Sequence, residues 1–165
     1  MRCWNEKMKA LLGTTVVDKE ALDYVQNNMK SLYNPKFIEH NGMILWDRDF
    51  TKIDEWKLNV NWDKITNFWE EKGLYEWRFN CLNLNLYVEL DDVRVDMAKI
   101  AFCLYDRWVD AVKEQFPDTI LCFEMTFLEG EEKGFYIRVS KFSSEDNLNI
   151  TDSSSYSDAI ILDVV

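Results

Sequence analysis

Across residues 82–142 the hydrophobic period changes twice, and that change restricts the chain to few folds. Leu82, Leu84, Leu86, Val88 and Leu90 alternate with Asn83, Asn85, Tyr87 and Glu89, the two-residue period of a strand (82–90) with one solvated face. Asp91-Asp92 then offers a helix cap. Val95, Ala98, Phe102, Tyr105, Trp108, Val109 and Val112 follow at helical spacing until Gln115-Phe116-Pro117 ends the run. Residues 120–128 and 135–142 read as two strands, joined as a hairpin by Glu129-Gly130-Glu131-Glu132-Lys133-Gly134. This β–α–β–β unit predicts an α+β fold: a mostly antiparallel sheet packed against a long helix over 92–115.

The flanks add smaller elements. Residues 4–12 and 18–33 read as N-terminal helices, the second with Leu22, Val25, Met29 and Leu32 at helical spacing and Asp18 as N-cap. Asn34-Pro35 stops it. Met43-Ile44-Leu45-Trp46 reads as a short strand after the Asn41-Gly42 turn. Residues 62–72 form an amphipathic pattern, with Trp62, Ile65, Phe68 and Trp69 on one side and Gly73 behind as a C-cap. Residues 143–158 are polar and turn-rich, and 159–165 suit a last strand or a docked tail. There is no internal repeat. At 165 residues, a single domain spanning 1–165 is the expectation.

Composition bounds the function. Thirty acidic residues oppose nineteen basic ones, for a net charge of -11, and the chain carries seven Trp, seven Tyr and ten Phe. Such an apolar content offsets the entropy of ordering and excludes disorder. Residues 124–165 hold nine acids and three bases, so the C-terminal quarter is the most anionic. A field of this sign repels phosphates and attracts basic partners. Cys3, Cys81, Cys103 and Cys122 lack any CxxC spacing, so they read as free thiols, suited to a reducing cytoplasm. No apolar stretch approaches the ~20 residues that span a bilayer.

Catalytic chemistry finds little support. His40 is the one histidine; it sits in a turn, without a neighbouring nucleophile, and reads as solvent-facing. The five glycines are isolated, with no GxGxxG or GxxxxGK loop for a phosphate. Asp47-Arg48-Asp49 and Asp91-Asp92 lack the order of an EF-hand loop. Glu76 and Glu124, on aromatic-rich segments, are the one pair to weigh as acid and base on a sugar. In the Trp-rich segment 46–77 acids outnumber bases, so it is no nucleic-acid patch. The expectation is a chain that is not an enzyme and uses no cofactor or metal.

What remains is recognition of another protein, with aromatic side chains as anchors and carboxylates complementing Lys and Arg. Trp69, Trp77 and Trp108 fit buried stripes, whereas Trp4, Trp46, Trp56 and Trp62 are less committed. The expected contact is the acidic hairpin and polar loop, Glu129, Glu131, Glu132, Glu145, Asp146 and Asp152, with an exposed tryptophan as anchor. Small, acidic, Trp-rich and without a catalytic motif, the chain resembles the immunity proteins of bacterial toxin systems, including contact-dependent growth inhibition. The resemblance lies in overall character and carries over no residue. It implies a cytoplasmic inhibitor whose acidic surface neutralises a basic toxin, a nuclease above all, with no direct nucleic-acid or membrane binding. A phage-type anti-defence protein that mimics DNA, or a small adaptor domain, shares the same character.

Overall fold

The computed structural model describes residues 1–13, 18–40, 42–47, 72–88, 96–129, 133–141 and 156–165, the side chains of 72–75 excepted. The fold is α+β, as the sequence pattern predicts. β1 (Arg2–Trp4) leads into α1 (Glu6–Leu12), α2 (Lys19–Asn28) and α3 (Lys30–Tyr33). The hairpin β2 (Phe37–His40) and β3 (Met43–Trp46) comes next, then α4 (Lys72–Phe79), β4 (Leu82–Asn83) and a 3-10 turn (Leu84–Leu86). The long helix α5 (Met97–Gln115) and strands β5 (Leu121–Leu128), β6 (Gly134–Lys141) and β7 (Ala159–Val164) complete it.

Among the described residues, five strands form one antiparallel sheet in the order β1-β7-β5-β6-β4, and β2–β3 is a separate two-stranded sheet. Residues 159–165 therefore supply an inner strand, paired on one side with the start of the chain and on the other with β5. Phe123, Met125, Ile137, Val139 and Ile161 alternate onto one sheet face and join the main core with α5. Cys122, Ile160 and Leu162 lie on the opposite face in a smaller apolar cluster.

The stripe on α5 is broader than its sequence spacing implies. Ala98, Phe102, Tyr105, Trp108, Val109 and Val112 are buried as expected, but so are Ile100, Ala101, Leu104 and Ala111, because α1, α2 and α3 pack on the helix as well as the sheet. Trp108 joins the layers. Its Nε1 donates to the Leu32 carbonyl at 2.8 Å, and its ring meets Phe37 edge-on at 5.5 Å and Trp46 at 4.7 Å. No helix among the described residues is long and apolar enough to cross a membrane.

Several expectations are corrected, each by local side-chain chemistry. The strand expected over 82–90 pairs only at Leu82 and Asn83. Asn83 Oδ1 accepts the Asn85 N–H at 3.1 Å and winds Leu84–Leu86 into a 3-10 turn; residues 89–90 lie outside the described ones. The N-cap of α5 is Asp96, whose Oδ1 accepts the Ala98 N–H at 2.9 Å, not Asp91-Asp92. Residues 18–33 form two helices that break at Met29. There Asn27 and Asn28 turn their amides back onto the Asp23 and Tyr24 carbonyls. Trp4 belongs to β1, and Asn5 caps α1. Gly73 lies inside α4; the amphipathic run 62–72 falls almost wholly outside the described residues, as does most of the polar loop 143–158.

Candidate functional site

Three polar clusters of the interior are structural. Glu76 and Asn80 stand one turn apart near the C-terminal end of α4. Glu76 Oε1 accepts the Ile44 N–H and Oε2 accepts the Lys141 N–H at 2.7 Å. Asn80 accepts the Trp46 N–H at 2.6 Å and donates to the carbonyls of Ile44 and Val139 at 2.7 and 2.9 Å. The two side chains thus fill the place of a strand between β3 and β6, satisfying backbone groups along two sheet edges. Glu124 pairs with Arg138 at 2.6 Å and accepts from Trp77 Nε1 at 3.3 Å, while the Arg138 guanidinium lies 4.2 Å from the Trp77 ring centroid. Glu76 and Glu124 therefore serve separate hydrogen-bond networks.

The third cluster ties the chain ends together. Arg2 Nε meets buried Asp163 at 2.7 Å, its Nη2 meets Asp106 at 2.6 Å, and Tyr105 Oη donates to Asp163 at 3.2 Å. Burial, and then the Asp163 charge, push the Tyr105 hydroxyl well above its ordinary value, so it remains a donor. His40 is half-buried at the end of β2, paired across to Met43, rather than solvent-facing in the turn.

The surface looks different. One end of the large sheet carries the β5–β6 connection, the 3-10 turn, the start of β7 and α1. Asn85 Nδ2 donates to the Lys133 carbonyl, which fixes the turn beside the hairpin. Gly134 allows this approach: a Cβ there would stand 2.6 Å from Asn85 Cγ. The turn leaves Leu86 78% and Tyr87 48% exposed. Across the hairpin, Leu128 pairs with Gly134 and Phe127 with Ala159, so α1 and the start of β7 lie only a few strand spacings of ~4.8 Å away. Glu129 projects from this end, exposed and in no ion pair with a described residue.

Of the expected contact residues, Glu129 is placed at this end; Glu131, Glu132, Glu145, Asp146 and Asp152 lie outside the described residues. Among the described residues no tryptophan is exposed. Trp46 and Trp108 are core, Trp4 and Trp77 are half-buried in stacked contacts, and Trp56, Trp62 and Trp69 lie outside the described residues. Leu86 and Tyr87 are adjacent exposed apolar side chains at this end; Met1, Leu11 and Ile120 are the other large ones among the described residues. Sequence pattern hid the adjacent pair because Leu86 continued an alternating strand; the Asn83–Asn85 spacing was the available sign of a turn. No protein-family model, curated protein or solved structure matches this chain.

Proposed function

We propose that this chain is an immunity-type inhibitor that binds and neutralises a basic toxin, a nuclease above all, with the hairpin end of the sheet as its contact surface. The observation that carries this reading is the placement of exposed Leu86 and Tyr87 at the same sheet end as the Glu129 carboxylate, which makes no ion pair among the described residues, on a chain of net charge -11. A nuclease must hold phosphates and so presents a cationic groove, which a field of the opposite sign attracts. Apolar and aromatic side chains then supply the desolvated contact that a charge alone does not. All four cysteines are free thiols, which suits action in the cytoplasm.

The test is capture from the source organism with tagged protein, followed by co-expression with the captured partner. Suppression of a basic partner's lethality by the native chain, and loss of protection with Leu86→Ala/Tyr87→Ala that still folds, is the expected result. If the captured partner is a DNA-binding enzyme released by competing duplex DNA, the chain is a DNA mimic. If no basic protein is held, the inhibitor reading fails.

A further inference from the structure

A cavity of about 300 Å³ opens between α1 and the hairpin end of the sheet, lined by Lys7, Leu11, Phe127, Glu129, Asp158 and Ala159. Its volume is at the floor of the range for small-molecule sites, ≈300–1,000 Å³, and suits one long side chain better than a cofactor. Its walls are apolar: Leu11 from the helix, Phe127 and Ala159 from a paired position of β5 and β7. Two acidic residues, Glu129 and Asp158, line it with them, and Asp158 Oδ2 accepts the Ser157 hydroxyl at 3.3 Å. The lining cation does not cancel them both, and Lys7 Nζ is engaged by the Ser157 carbonyl. The cavity wall is held rigidly, because Asn5 caps α1 through the Met8 N–H at 3.0 Å and accepts the Ile160 N–H at 3.2 Å. Its Nδ2 donates to the Asp158 carbonyl at 2.6 Å.

We infer that this cavity seats a single arginine side chain of a basic partner protein. The inference rests on the proposed inhibitor function and specifies what that surface reads. An arginine combines an apolar stem with a planar cation: the stem packs on Leu11 and Ala159, the guanidinium faces the Phe127 ring and the two carboxylates. A lysine would gain the charge without the planar stacking, and a neutral isostere would gain neither.

The experiment is a titration of the ¹⁵N-labelled full chain with N-acetyl-arginine amide, followed by amide shifts, against the lysine and citrulline analogues. Saturable shifts are expected at Leu11, Phe127, Glu129 and Asp158, with lysine weaker and citrulline inert. Glu129→Gln and Asp158→Asn should each weaken arginine binding about tenfold, and Ala10→Trp, which fills the cavity from exposed α1 surface, should abolish it. A folded spectrum in each variant excludes a collapse of the wall. Shifts scattered over the acidic surface, equal shifts with citrulline, or none at all overturn the pocket. That outcome leaves the inhibitor reading intact where the captured partner still depends on Leu86 and Tyr87. Loss of the partner with retention of the arginine shifts would sink the inhibitor reading and leave the pocket standing.

Discussion

At the scale of single residues, the two-residue bridge of Glu76 and Asn80 is the most exacting feature. Glu76 is 1% exposed and satisfies two backbone N–H groups with its two oxygens. Glutamine has one acceptor oxygen and an amide that donates, so Glu76→Gln sets a donor against a donor. A loss of about 2–3 kcal/mol is expected in urea unfolding. Asn80→Leu leaves three backbone groups without partners and should cost at least ~3 kcal/mol; a smaller cost for both would mean that water or neighbours replace the bridge. Asp18 offers a pH signature. Its carboxyl is held below the usual range by the Lys99 ammonium, 2.7 Å away, and by the N–H of Ala21, and Lys99 is raised in return. A depressed acid contributes stability that is present above its unfolded value and lost as pH falls through the folded one. Asp18→Asn keeps the cap but not the charge. The urea midpoint difference between native and variant should therefore be constant above about pH 5 and shrink on further acidification. A difference that grows in acid would assign the pair no role.

Elements were legible where one physical signal dominated. The α5 helix and the β5–β6 hairpin announce themselves because dense periodic apolar residues are buried over many turns. The 82–90 run failed because two asparagines outweighed alternation: a capped 3-10 turn satisfies backbone groups that a longer edge strand would leave exposed. The β2 strand and the β1 strand were missed since four and three residues carry almost no period. The same local chemistry makes a prediction. Gly134→Ala places a methyl group against the Asn85 side chain, so the Asn85 bond to Lys133 must break and the turn that presents Leu86 and Tyr87 must shift. Gly134→Ala is expected to destabilise by about 1–2 kcal/mol, Asn85→Ala by about 1, and the double variant by less than the sum. Additive losses in a thermal or urea series would show that Gly134 is needed for another reason.

For the whole molecule, sequence pattern located Glu129 at an acidic hairpin but not the apolar pair beside it, nor the cavity wall, because both depend on which distant segments meet. That meeting is itself non-local. β7 is held between β1 and β5, with the Met1 amine on the Val164 carbonyl and Arg2 on Asp163. Deleting residues 1–4 would leave Ile161-Leu162-Asp163 as an unpaired sheet edge and strand Asp163 without its guanidinium. Concentration-dependent aggregation in light scattering is expected, and a soluble monomer would deny β1 that protective role. The frame so closed carries a field of -11 that acts at a distance, while Leu86 and Tyr87 act only on contact. The two should therefore separate in the kinetics of partner binding. Raising salt, or Glu129→Lys, should chiefly slow association, by about tenfold between low and physiological salt, whereas Leu86→Ala/Tyr87→Ala should chiefly speed dissociation. If salt leaves the association rate unchanged, the charge is a device for solubility and the contact is made by shape alone.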